Sequence, residues 1–217
     1  MKHHFSVILS VFVLTVLLGG CSSAYYGAME KVGIHKRDIM VDRVTDARDS
    51  QQEAKDEFSS ALEQFQAMLG TSDTDLQVQY DKLNTAFERS ENAAEEVSDR
   101  IEGVENVSEA LFEEWEEELK LYSSENLRRD SASKLRATKR NYKQLISSMK
   151  AAEERMDPVL NALRDQVLYL KHNLNARAID GLKGELRSVE TNVARLIRDM
   201  EKSIAESEAF IEQLQQG

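Results

Sequence analysis

The chain has 217 residues, with 28 Lys and Arg against 39 Asp and Glu and a formal net charge of −11. A balance this acidic excludes nucleic acid as an expected ligand, because neutralisation of phosphates by Lys and Arg supplies that affinity. Only 9 glycines and 1 proline interrupt a composition with 31% charged residues, which suits long helices, and a single cysteine excludes an intrachain disulfide, so stability must come from packing.

Lys2 gives a positive start, and Phe5 to Leu18 is apolar apart from Ser6, Ser10 and Thr15, the shape of a secretory leader. The run is too short for a membrane span, which takes about 20 apolar residues. Leu18-Gly19-Gly20-Cys21 resembles a bacterial lipobox. That resemblance implies cleavage between Gly20 and Cys21, attachment of acyl chains such as palmitate to Cys21, and a mature protein beginning there. The alternative is an ordinary signal peptide with an incidental cysteine. In such lipoproteins an aspartate after the cysteine retains the protein in the inner membrane, so Ser22 implies the outer membrane, with the body in the periplasm. The inner membrane and the cell surface are the lesser alternatives. Several acyl chains on one cysteine anchor durably where one would not, and no cofactor beyond this covalent lipid is expected. Residues 1–20 are therefore read as signal peptide, 21–35 as lipidated tether and 36–217 as a helical domain. Tyr25 and Tyr26 suit either the headgroup region or packing against the end of the domain.

From Lys36 the apolar positions recur in threes and fours. Met40, Val44, Ala47, Gln51, Ala54, Phe58, Ala61, Phe65 and Met68 form a heptad seam with one polar member, predicting a helix over 36–69 that stops at Gly70. Thr71 to Asp75 offers N-caps for a second helix over 73–122. Its seam runs from Tyr80 and Leu83 through Val97, Ile101 and Leu111 to Trp115, then shifts to Leu119 and Tyr122. Gly103 costs up to about 1 kcal/mol against alanine but leaves the apolar phase unchanged, so one helix with at most a local kink is expected.

The segment Ser123 to Asn126 predicts a hairpin tip, and opposite charges flank it. Glu105, Glu109, Glu113, Glu114, Glu116, Glu117 and Glu118 precede it; Arg128, Arg129, Lys134, Arg136, Lys139, Arg140 and Lys143 follow it, opposed only by Asp130. Reversal near Ser124 would set Glu113 near Arg136 and Glu109 near Arg140, pairs worth about 0.2 to 1 kcal/mol each. The alternative is that Arg128 to Lys143 binds envelope polyanions such as lipid phosphates or cell-wall polymers.

The third helix is expected over 127–172, kinked at Asp157-Pro158 with Met156, Val159 and Leu163 kept on one face. Lys171 to Asn175 reads as a sharp turn, and a fourth helix follows over 176–215. Its seam is Ile179, Leu182, Leu186, Val189, Val193, Leu196 and Met200, with Ile204, Ile211 and Leu214 displaced as by a four-residue stutter. Ala178, Gly181 and Gly184, three apart, would let a backbone approach closely, unless the loop extends to Gly184.

Tyr25-Tyr26, Met29 to Gly33, Lys36 to Ile39, Ser50-Gln51 and Lys171 to Ile179 together resemble a gammaproteobacterial family of unknown function, DUF2959. The resemblance covers nearly the whole mature chain and implies a helical, lipid-anchored envelope protein, with no activity or site residue to carry over.

Chemistry-bearing patterns are sparse. His3 and His4 leave with the leader, His35 and His172 are solitary, and Asp42, Asp46 and Asp49 with Arg43 and Arg48 form a charged face rather than a metal site. No catalytic or metal-binding residue and no enzyme activity is expected. The reading is an all-α protein, an elongated antiparallel bundle of four coiled-coil-like helices. It acts as an envelope structural or adaptor component on a protein partner, or as a regulator docking on an envelope enzyme. A homo-oligomer is compatible with Leu62, Leu69, Ile146 and Leu160, which widen the apolar stripes.

Overall fold

A computed structural model of the chain describes residues 29, 33–70 and 76–216. The leader, Gly20, Cys21, Ser22, Tyr25, Tyr26 and the caps at Thr71 to Asp75 lie outside them. The described residues form an all-helical bundle with five helices: α1 (Lys36–Leu69), α2 (Leu76–Glu118), α3 (Glu125–His172), α4 (Ala176–Lys183) and α5 (Leu186–Gln216).

The seam of α1 is wholly inside. All nine of its members, Met40 through Met68, are buried, because steps of three and four keep them on one stripe of the helix. α1 packs on α2 and α5, and α3 packs on the same two helices, so the long helices close a ring around one core. Opposite-charge pairs report the direction of packing. Lys36 meets Glu114 and Asp46 meets Arg100 between α1 and α2. Glu116 meets Lys139, Glu105 meets Lys150 and Glu91 meets Arg164 between α2 and α3. Arg155 pairs with Asp199 between α3 and α5, and Lys55 pairs with Glu201 between α5 and α1. Between α1 and α2, and between α2 and α3, numbers rise along one helix as they fall along its neighbour.

Three expectations are corrected. The hairpin register is shifted: α2 ends at Glu118, the turn takes Leu119 to Ser123, and Ser124 caps α3 by accepting from Leu127 N–H at 3.4 Å. The reversal is therefore several residues long rather than centred on Ser124, and Glu116, not Glu113, reaches the basic helix, through Lys139. The single helix over 176–215 is broken. At Gly184–Glu185 the ladder tightens to a three-residue bond from Glu185 N–H to Leu182 O at 3.0 Å, and α5 starts afresh; glycine's weak helix propensity makes this the cheapest place for it.

The stutter in α5 is absent. Val189, Val193, Leu196, Met200, Ser203, Ser207, Phe210 and Leu214 are all buried in unbroken steps of four and three. Ser203 and Ser207 hold seam positions, and a reading by large apolar residues passed over them; Ser207 satisfies its hydroxyl by donating to Ser203 O at 2.8 Å. The apolar residues beside the seams contribute to the core. Leu69 and Leu160 are buried, and Leu62 and Ile146 pack half-buried against the core.

Neither Gly103 nor Pro158 interrupts its helix. Gly181 lies against the Tyr169 hydroxyl rather than a backbone. One glycine has a conformational reason: Gly33, at φ +87°, sits in a turn closed by a bond from Ile34 N–H to Met29 O at 3.1 Å, the six-to-one pattern that ends a helical turn on a left-handed residue.

Candidate docking ends of the bundle

With α3 at 48 residues, the bundle is about 72 Å long at 1.5 Å per residue, and its surface chemistry differs between ends and sides. Large hydrophobic side chains that stay exposed are Ile34, Val78, Leu121, Tyr122, Leu127, Leu168 and Tyr169. None lies along the middle of the rod. Ile34 precedes α1, Leu121 and Tyr122 belong to the α2–α3 turn and Leu127 to the first turn of α3; the Lys36–Glu114 bond at 2.8 Å brings these to one end. Val78 is in the first turn of α2, and Leu168 and Tyr169 are in the last turns of α3, which places them at the other end.

The first of these ends is the one at which α1 begins. A cavity of about 340 Å³ opens there between the starts of α1 and α3 and the ends of α2 and α5. Leu111, Trp115, Ala137 and Leu214 give it apolar walls; Lys36, Arg37, Lys134, Glu114 and Glu118 charge its rim. Trp115 is half-buried and donates its indole N–H to Ser131 at 2.8 Å, as a partly buried indole requires. Its volume is at the low end for a ligand pocket. No pattern in the chain signals this cavity, because its walls come from four helices far apart in the sequence.

The basic segment nominated from sequence is divided by the fold. Arg128 bonds Glu125 at 2.5 Å, Arg129 bonds Asn126, Lys134 lies 3.7 Å from Asp130 and Lys139 meets Glu116. Arg136, Arg140 and Lys143 are exposed and make no ion pair among the described residues. Four of the seven cations are thus held by local or cross-helix acceptors, while three remain open to solvent.

Groups at contacts between helices are electrostatically perturbed. The hydrogen bond and charge of Lys139 hold the Glu116 carboxyl below its ordinary range. The hydrogen bond from Lys150 to Glu105 raises the lysine. Burial raises the Tyr142 phenol, with a hydrogen bond to Ser108 opposing it. Tyr142 stands edge-on to Phe112 with ring centroids 5.4 Å apart and 6.4 Å from Phe210, so it closes a small aromatic cluster on three helices. Its role is packing. Among the described residues no group of three or more His, Cys, Asp or Glu is placed to hold a metal ion, and no helix is long and apolar enough to cross a membrane.

The family model described as "Protein of unknown function (DUF2959)" matches residues 25–214, nearly the whole chain, and the chain belongs to that family. Neither curated proteins nor solved structures give a match.

Proposed function

We propose that this DUF2959 protein is a lipid-anchored envelope adaptor, a rod held to the outer membrane through Cys21 that presents its far end to a protein partner in the periplasm. The observation that carries the reading is the segregation of exposed apolar side chains to the two ends of the rod, with Val78, Leu168 and Tyr169 at the end away from the tether. A rod with charged sides and apolar ends makes its contacts end-on. The pairing sense of the cross-helix ion pairs supports an antiparallel arrangement of the four long helices, in which α4 and α5 together fill the place of the fourth. The binding of the partner needs no catalytic group on this chain.

The test is a photo-crosslinking residue placed at position 168 or, as a mid-rod control, at the exposed position 99, in cells carrying the full chain. A discrete adduct at 168 that is absent at 99, and lost on Val78→Ser with Tyr169→Ser, is the expected result. Equal adducts at both positions, or none at 168, would refute end-on docking. A second reading, binding of anionic cell-wall or lipid polymers, is favoured by the open cations Arg136, Arg140 and Lys143. Their replacement by Gln would abolish such binding while leaving the melting curve unchanged.

A further inference from the structure

Among the described residues the exposed apolar groups are most concentrated at the tether end. Leu121 is 82% exposed, Leu127 59% and Tyr122 41%, within seven residues of one turn. Burial of such side chains away from water is favourable by roughly tenfold or more in a binding constant for each leucine, and a tight helical turn that leaves them in solvent is a surface awaiting an occupant. Tyr122 combines an apolar ring with a polar tip, the combination that collects at the bilayer interface.

What occupies this surface follows from where the chain goes. Lys36 is bonded to Glu114, one turn before α2 ends, so the start of α1 lies beside this same turn. Fourteen residues separate Cys21 from Lys36, at most about 50 Å of fully extended chain, and the closed turn from Met29 to Ile34 shortens it. An anchor this close holds the end of the rod against the lipid surface. The charges there do not choose a polyanion: Lys120 is bonded to Glu117 and Arg128 to Glu125.

We infer that the α2–α3 turn is a second membrane contact, in which Leu121, Tyr122 and Leu127 enter the headgroup boundary and hold the rod upright on its lipid anchor. This rests on the anchored reading for the location of the membrane. It differs from binding by the basic segment in being driven by apolar area, so it does not require anionic lipid.

The experiment uses the full chain purified from membranes and reconstituted in vesicles of phosphatidylcholine, and separately of phosphatidylglycerol with phosphatidylethanolamine. A Ser123→Cys variant carries an environment-sensitive fluorophore in the turn, with Val78→Cys as the far-end control, and the mass at Cys21 is recorded. The label at 123 should be shielded from aqueous iodide and quenched by brominated acyl chains in both lipids, about tenfold more than the label at 78. Leu121→Ser with Leu127→Ser should remove the shielding without moving the melting curve, both positions being exposed. Equal iodide access at 123 and 78 overturns the inference, whatever the state of Cys21. Shielding seen only in the anionic vesicles, or unaffected by the two serines, overturns it in favour of the basic segment. Shielding with an unmodified Cys21 upholds the turn as a membrane contact and refutes the anchor.

Discussion

Gln51 occupies a seam position of α1 between Ala47 and Ala54 with no exposed surface, and neither its Oε1 nor its Nε2 has a hydrogen-bond partner. An amide left unpaired in a core costs about 1 to 3 kcal/mol by protein mutational data. Gln51→Met keeps the length and unbranched shape of the side chain while removing both orphan atoms, so the variant should be more stable by about 2 kcal/mol. With a urea slope of about 2 kcal/mol/M, the midpoint followed by far-ultraviolet circular dichroism should rise by about 1 M. Ser203 on α5 is the other buried orphan among the described residues, and the Lys55–Glu201 pair at 3.7 Å places it within about a turn of the same level. If the two are independent, Ser203→Ala should add to Gln51→Met within about 0.5 kcal/mol. A midpoint that stays put or falls in Gln51→Met would refute this argument, by showing that the amide is satisfied in solution. A polar seam residue also selects register and partner number in helical assemblies, so sedimentation of Gln51→Met should show additional oligomers if that is its use.

Other outcomes follow from the same packing. Pro158 is exposed within α3, where it removes one ladder bond, so Pro158→Ala should raise the melting temperature, with up to about 3 kcal/mol recovered. Leu163 is fully buried in the core, and Leu163→Ala should cost about 2 to 5 kcal/mol in denaturant unfolding. The Glu116 carboxyl is depressed in the folded state by Lys139, so its contribution is present above the ordinary carboxylate pKa of about 4.3 and is lost as pH falls through the lower folded value. Lys139→Met should therefore flatten the acid limb of the stability profile. Lys150 is raised by Glu105, so its contribution is full below about pH 10.4 and is lost as pH rises through the higher folded value; Glu105→Gln should remove that alkaline limb.

Periodicity along the chain was enough to determine that it is helical, where α1 lies, that its nine-member seam is inside, and that Gly103 and Pro158 would not change the buried face. These are local properties: a three-four step fixes one stripe of a helix whatever that stripe packs against. The seam of α5 was legible too, but only if Ser203 and Ser207 are counted with the apolar residues, since small hydroxyls bonded back to their own helix fit a core without partners from outside. Tertiary structure alone decided which glutamate meets which lysine across the α2–α3 hairpin, because a shift of a few residues in the turn moves every pair along α3 while leaving both seams intact. It alone decided that Leu69 and Leu160 are buried while Leu62 and Ile146 stay half-buried against the core, since burial depends on the neighbour and not on the stripe. The gathering of the α1 start, the α2–α3 turn and the cavity around Trp115 at one end of the rod belongs to the same class. No pattern in the chain brings residues 36, 114, 134 and 214 together; the order in which the four long helices close around one core does.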